Sequence, residues 1–523
     1  MNNNGQKNRK NISVLMISTI ISALSGFVRD ILVAKNLGAT MQSDVYLSSN
    51  ILSYTIFGII GAAISTSFIP IFNDISENSG RSDAEAFSNK ILSLIITLGI
   101  GLILLGELLA PQLTRILFYG FEGQKYELAV LLQRIMLPLT ILTVLSNLML
   151  GILQSYGEFK TTAIVGLITN FVLIMYMLFG FHLFNVIGLC AANILAYIII
   201  LTIQTFALLK KKYKFKYEFT LHDPKLKMVF SLVLPVIIGT SAGQISDLIN
   251  TAVSSSFNDG EMAALTYSMR IVAACMIVFV TPFATVYYPI MSRLVANMEY
   301  QNLIIIVSRV IEICVIITIP LTVGFLVLSR PFIMFIFERG LFDEKATTLT
   351  TYAFFYYSIG LVGYSLRGFL EKVFYSLKNT KTPMLNGVIG IGINIVLVLI
   401  LTKFVGYIGI AMAYSIAGII ISILMFMSLS KKLPGLNVKS EILNIIKILL
   451  SALTMGIVVY LLDRVLIQKN VILILRLMID ILVGVIAYTI VCIILKIQMA
   501  LYVIDLLLTY IKKNLMKLER KQK

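Results

Sequence analysis

Residues 11–37 read NISVLMISTIISALSGFVRDILVAKNL. Lys7, Arg9 and Lys10 precede this stretch, so it imitates a secretory signal. The apolar run nevertheless continues past Arg29-Asp30 without a small-residue cleavage motif, which predicts a retained first transmembrane helix. A charged pair inside that helix costs free energy in lipid. Whether the rest of the chain is also built for lipid decides the fold.

The rest of the chain repeats the pattern. Of 523 residues, 58% are hydrophobic and 13% charged, against about 25% charged in soluble domains. Mean hydropathy is +0.92. A water-soluble fold has too little interior to hide this much apolar surface. Apolar runs of roughly 20 residues, enough to cross ~30 Å of hydrocarbon, recur about fourteen times. They fall near 12–35, 43–70, 89–113, 128–155, 160–182, 186–209, 228–256 and 262–289, then 303–328, 347–375, 383–403, 406–429, 441–463 and 471–495. Backbone in lipid must satisfy its own hydrogen bonds, so the runs are read as helices and the fold class as all-α, polytopic.

The net charge of +17 could suggest nucleic acid, but the basic residues sit mainly in short loops and tails, where they orient a membrane protein. Lys210, Lys211, Lys212, Lys214, Lys216, Lys225 and Lys227 share one loop, Lys378 and Lys381 another, and Lys431, Lys432 and Lys439 a third. An even helix number places these loops and both termini on one side, assigned as cytoplasmic. Arg330, Arg339 and Lys345 are exceptions in one longer opposite loop. Residues 497–523 begin amphipathic (Leu501, Val503, Ile504, Leu507, Leu508) and end basic, which predicts a helix on the inner leaflet. Cys190, Cys275, Cys314 and Cys492 lie in apolar runs without a CxxC pair. With only His182 and His222 besides, the chain lacks the ingredients of a multi-histidine metal site.

Two stretches about 220 residues apart look alike. Ser67-Phe68-Ile69-Pro70-Ile71 compares with Val286-Tyr287-Tyr288-Pro289-Ile290, the segment from Pro111 to Gly120 with that from Pro331 to Gly340, and Thr162-Ala163 with Thr382-Pro383. This predicts two six-helix lobes, 1–215 and 216–435, followed by two extra helices and a basic tail over 436–523. Parallel halves of this kind form a common transporter architecture with a substrate path between them.

Ionisable residues within the runs are the site candidates. Arg29 and Asp30, with Asp44 at the start of the second run, read either as a charged cavity lining or as a local salt bridge with Arg29 snorkelling. Arg270 lies about a third of the way into its run. Its planar, always-charged fork suits an anionic oxygen group, and the alternative is a structural pair with Asp247. Arg367 and Glu371, with Lys372, either line a cavity or pair along their helix. Arg134 is equally open, and Arg309 with Glu312 reads as an i,i+3 pair. No P-loop, GxSxG or HExxH pattern occurs, which argues against an ATP-driven pump and common hydrolase chemistry.

Ser25-Gly26-Phe27-Val28-Arg29-Asp30 through Ala34, then Leu37-Gly38-Ala39, Asp44 and Phe68-Ile69-Pro70, resembles the amino-terminal signature of the MurJ (MviN) family. Gln244-Ile245, Asn250, Tyr267-Ser268-Met269-Arg270 and Lys381-Thr382-Pro383 fit as well, and the similarity covers most of the chain. The resemblance implies a flippase of the multidrug/oligosaccharidyl-lipid/polysaccharide exporter superfamily, carrying lipid II, the undecaprenyl-pyrophosphate-linked peptidoglycan precursor, to the outer leaflet of the bacterial cytoplasmic membrane. It implies two lobes around a cationic cavity, a lipid-tail groove on the last two helices, and substrate-binding roles for Arg29, Asp30, Asp44 and Arg270. Asp247, Arg367 and Glu371 are possible lining residues. The implied partners are a lipid-linked anionic glycan, membrane lipids and cell-wall synthesis proteins, with no cofactor, metal or nucleic acid.

The chain departs from the family pattern at Ala23, where many members carry another arginine, and at Asn50-Ile51-Leu52-Ser53-Tyr54, which also lacks one. Asn250 and Asn394 stand where some members use acidic residues for sodium. A flippase for another undecaprenyl-linked polysaccharide and a cation-coupled drug exporter therefore stay open as alternatives. A membrane enzyme would need an acid–base constellation that the loops do not offer. The orientation has a direct test: a reporter fluorescent only in the cytoplasm, fused after Lys214 or Lys432, is expected to light up, whereas one fused after Glu122 is expected to stay dark.

Overall fold

A computed structural model describes residues 3–51, 57–220, 223 and 243–499, and among these every regular element is helical. In chain order they are α1 (Asn3–Leu37), α2 (Met41–Asn50), α3 (Phe57–Asn78), α4 (Arg81–Leu117), α5 (Gly123–Ser155), α6 (Lys160–Met175), a π-helical turn (Tyr176–Gly180) and α7 (Phe181–Lys210). Then come α8 (243–254), α9 (Glu261–Phe279), α10 (Thr281–Ala296), α11 (Tyr300–Val327) and α12 (Ser329–Phe337). The last five are α13 (Glu344–Ser376), α14 (Lys381–Val405), α15 (Ile408–Lys432), α16 (Val438–Gln468) and α17 (Leu473–Ile494). Among the described residues nine helical stretches are long and apolar enough to cross a bilayer. The tail from residue 500 onward, the first half of the run at 228–256 and Leu52-Ser53-Tyr54 lie outside the described residues.

Local chemistry explains where helices depart from the apolar runs. The run at 262–289 is two helices, because Pro282 in the first turn of α10 has no N–H to continue the ladder. The boundary expected between 182 and 186 falls at Asn185, whose φ of 47° and ψ of −139° break the helical path. The Tyr176 hydroxyl donates to the carbonyl of Asn185 at 2.7 Å and stabilises that break.

The sequence repeat extends to backbone detail. α4 and α11, α5 and α13, and α6 and α14 begin about 220 residues apart. α5 and α13 also end alike. Gly157 and Lys378 both take left-handed φ, 71° and 56°. The next residue's N–H then reaches back to close the helix, Glu158 to the Leu153 carbonyl at 2.8 Å and Asn379 to that of Phe374 at 2.9 Å. Both are Schellman caps.

The chain forms two compact units, one of residues 1–267 with 339–346, the other of 268–338 with 347–523. In the first, α3, α4, α5 and α7 bury Phe68, Phe72, Phe87, Leu148, Ile152 and Leu208, with Phe68 and Phe87 stacked at 5.9 Å. Residues 213–220 lie along α4. Tyr213 hydroxyl donates to Asn89 Oδ1 at 2.9 Å, and the Glu218 N–H donates to Ser93 Oγ at 2.8 Å. Burial pushes the Tyr213 phenol well above its ordinary pKa.

In the second unit small residues let helices approach. A Cβ on Gly363 of α13 would stand 2.5 Å from the carbonyl carbon of Gly418 of α15, and beside it Tyr364 stacks on Tyr414 at 4.0 Å. Leu98, Ile100, Leu102, Leu104 and Leu108 on α4 are exposed, as side chains facing lipid should be. Gly363→Val is therefore expected to destabilise by about 1–3 kcal/mol, since backbone cannot yield to the added methyls. It should lower the melting temperature of the purified protein in detergent. Gly101→Ala, with nothing within 4 Å of the added carbon, should leave it unchanged.

Candidate functional site

Arg29 sits on α1 where the helix meets α6. Small residues bring the two together: a Cβ on Gly166 would be 2.3 Å from Ser22 Oγ, and one on Gly26 would be 3.4 Å from Asn170 Nδ2. Arg29 donates through Nε and Nη2 to Asp30 Oδ1 at 3.0 and 2.9 Å, and through Nη1 to Asn170 Oδ1 at 3.0 Å. Asn170 Nδ2 in turn donates to the Ser22 carbonyl at 2.8 Å and to Ser25 Oγ at 2.9 Å. The guanidinium is thus held from two sides with three of its five N–H groups engaged. It keeps 23% side-chain exposure and Asp30 keeps 11%. Such an arginine is charged, fixed in direction and able to give further hydrogen bonds to an anionic oxygen.

Asp44 belongs to a different network. After α1 the chain turns at Gly38 (φ 62°), and Ser43 Oγ accepts from the Thr40 N–H at 2.8 Å to start α2. Asp44 follows, fully buried. Its Oδ2 accepts from Lys125 Nζ and from the Gly260 N–H, both at 2.9 Å, and its Oδ1 accepts from the Ala263 N–H at 2.8 Å. The last two donors belong to the start of α9, where helical N–H groups have no intrahelical acceptor and the helix dipole favours a negative charge. Lys125 also pairs with Asp259 at 2.8 Å. One carboxylate therefore joins the first turn of α2, the first turn of α5 and the first turn of α9.

The end of α1 is closed by a distant loop of the same unit. Leu341 donates its N–H to the Lys35 carbonyl at 2.8 Å, and Tyr267 hydroxyl donates to that of Gly38 at 3.1 Å. Gly260 and Gly340 have φ of 89° and 64°, and a Cβ on them would stand 2.1 Å from the Ala39 oxygen and 2.5 Å from the Lys35 oxygen. Glycine is required at both.

The remaining candidates lie elsewhere. Arg270 is half-buried on α9 in the second unit, near Ser268, whose Oγ donates to the Thr350 carbonyl at 3.0 Å. Asp247 is exposed on α8. Arg367 and Glu371 form the i,i+4 pair along α13 at 2.8 Å. Arg134 stands 3.6 Å from Glu107. Glu312, besides its attraction to Arg309, accepts from Asn444 of α16. Asn170, Lys125 and Asp259 were not among the sequence candidates. A search for amides within apolar runs would have found Asn170, and a lone lysine opening a run on the Lys-poor side marks Lys125.

Two charged knots within an all-helical fold, nine of whose described stretches are long and apolar enough to cross a bilayer, define a multi-pass membrane protein. The structure is similar to an inward-facing multidrug resistance MATE family transporter of the MOP superfamily, with a TM-score of 0.69 and 14% identity over 82% of this chain and 98% of that one. It is also similar to lipid II flippase MurJ in an inward closed conformation, with a TM-score of 0.77 and 24% identity over 92% and 98%. Residues 33–481 match the family profile described as lipid II flippase MurJ. A protein of Rickettsia prowazekii (strain Madrid E) called probable lipid II flippase MurJ is 30% identical over 86% of this chain and 89% of its own. One of Vibrio cholerae with the same description is 26% identical over 80% and 82%. The chain belongs to the lipid II flippase MurJ family.

The Asp44 network makes a quantitative prediction. Asp44→Ala removes the buried partner of Lys125, and breaking such a pair is expected to cost about 3–5 kcal/mol. Thermal unfolding in detergent should show a large loss. Asp259→Asn, whose side chain is 58% exposed, should cost well under half as much.

Proposed function

We propose that this protein moves lipid II, the undecaprenyl-pyrophosphate-linked peptidoglycan precursor, from the inner to the outer leaflet of the bacterial cytoplasmic membrane by alternating access. It acts as a transporter and not as an enzyme. The observation that carries the reading is Arg29, a cation kept inside a transmembrane helix and aimed by Asp30 and Asn170, in a chain of the MurJ family. A pyrophosphate is the group such a cation recognises, and the poorly hydrated surroundings strengthen the contact.

In this reading Arg29 and Arg270 hold the head group. Asp30 orients Arg29, and Asp44, enclosed by protein donors, acts by positioning the surrounding helices. Asp247, Arg367 and Glu371 line the path. The chain is organised as lobes 1–215 and 216–435 with about fourteen spans in all, the last two helices guide the prenyl tail, and both termini face the cytoplasm. Only unequal affinity of the inward and outward states for the head group biases the cycle. Cell-wall synthesis proteins are the expected partners.

The test is complementation of a strain depleted of its own lipid II flippase. The intact chain should restore growth and lipid II export, and Arg29→Ala and Arg270→Ala should abolish both at equal membrane levels. Asn170→Ala and Arg29→Lys, which loosen the fork without removing the charge, should retain partial function. If lipid II still accumulates inside while another glycan polymer is exported, the substrate is a different undecaprenyl-linked unit. Ala23 and the arginine-free stretch 50–54 make that the one alternative with a specific motive.

A further inference from the structure

Where α16 meets α17, the carboxylate of Asp480 is buried without a donor. α17 turns Leu477, Asp480, Gly484 and Cys492 inward, a 3–4-residue spacing that makes one buried stripe. The neighbours Met478, Ile481 and Leu482 are 63%, 53% and 64% exposed and face lipid. Asp480 is fully buried, and neither of its carboxylate oxygens has a hydrogen-bond partner. At 1.5 Å per residue it lies about 10 Å inside the helix from Leu473, well within the hydrocarbon.

The charged groups acting on Asp480 are Asp463 of α16 and Arg476 of its own helix. Arg476 forms an ion pair with Asp463 at 2.9 Å, both side chains about 15% exposed (15% and 14%). Other nearby charges are committed elsewhere. Arg464 donates to the Tyr460 hydroxyl at 3.0 Å. On the two further helices that pack against α17, Arg330 of α12 donates to Thr348, and Glu312 of α11 accepts from Asn444 near the opposite end of α16 and attracts Arg309. The cluster thus has two carboxylates and one cation.

A second ionised carboxylate buried in hydrocarbon beside a first, without a donor to either oxygen, is the arrangement that burial disfavours most strongly. A bound proton removes the excess charge and gives Asp480 the donor it lacks, directed at the Asp463 carboxylate. We propose that Asp463 and Asp480 together form a proton-binding site of the α16–α17 pair, sharing one proton between them while Arg476 balances the remaining charge. Release of that proton leaves net negative charge between α16 and α17 and weakens their packing. Whether this pair is held tightly or loosely is set by proton occupancy. The inference rests on the geometry of the second unit alone and stands apart from the choice of transported substrate.

The sign of the pH dependence follows. Loss of the shared proton leaves two ionised carboxylates against the one guanidinium of Arg476, so the α16–α17 packing is expected to be tighter in acid and looser in base. The experiment uses the full chain in lipid nanodiscs. Infrared spectra should show a protonated-carboxylic-acid band near neutral pH that shifts in heavy water and is lost in Asp480→Asn. The melting temperature of the native chain should fall by several degrees between about pH 5 and about pH 9, whereas that of Asp480→Asn, which keeps the neutral shape, should stay flat by comparison. An unchanged band in Asp480→Asn, or the same pH dependence in both, overturns the proposal. So does a melting temperature at high pH that rises with sodium but not with choline, which would make the ligand a metal cation. Should Asp480→Asn fail to fold, Asp463→Asn serves the same comparison. Flippase activity enters none of these readouts, so failure here and failure of the transport reading are distinguishable.

Discussion

Hydrocarbon offers no water to an orphaned donor, acceptor or charge, and the structure of this chain follows from that constraint. It forces the backbone into helices and then governs the side chains. Ser48, Thr140, Thr143, Thr318 and Ser358 all turn their hydroxyls back to a carbonyl one turn earlier on their own helix, because no other acceptor comes without a partner helix. Where a partner helix is close, the same need ties helices together, as Gln204 of α7 does by donating to Ser146 Oγ of α5 at 2.9 Å.

Charges follow the rule with higher stakes. Asp44 is tolerated at complete burial because three donors from α5 and the start of α9 meet it, so its cost becomes a constraint on how those elements assemble. Arg29 is tolerated because Asp30 and Asn170 satisfy most of its fork, yet it keeps donors to spare. The two knots differ: one is closed on itself and ties α2, α5 and α9 together, while the other keeps part of its guanidinium exposed. At Asp480 protein atoms do not complete the account, since neither carboxylate oxygen meets a hydrogen-bond donor.

Much of this was legible in the residues. The apolar runs at 89–113 and 441–463 leave no choice of element, and the offset of about 220 residues seen in Pro70 and Pro289 reappears in the matched caps at Gly157 and Lys378. The i,i+4 spacing of Arg367 and Glu371 sufficed to suggest their pair. The division at Pro282 was available in principle, since a proline in the middle of an apolar run removes a ladder bond, but hydropathy alone does not register it.

The sequence by itself determined the solvent, the helices, the repeat and which charges lie within them, because these depend on side-chain chemistry and on spacing along one helix. Only the tertiary structure decided which charges meet. Asp44 and Lys125 are far apart in the chain, and Asp44 looked like a neighbour of Arg29 because it is close in sequence. The fold gives it instead to α5 and α9, and gives Arg29 to Asn170 on α6. Glycines at 26 and 166 allow that approach. The physical reason is that a buried charge is satisfied by whatever donor the packing brings within 3 Å, and packing is a property of the whole assembly of helices.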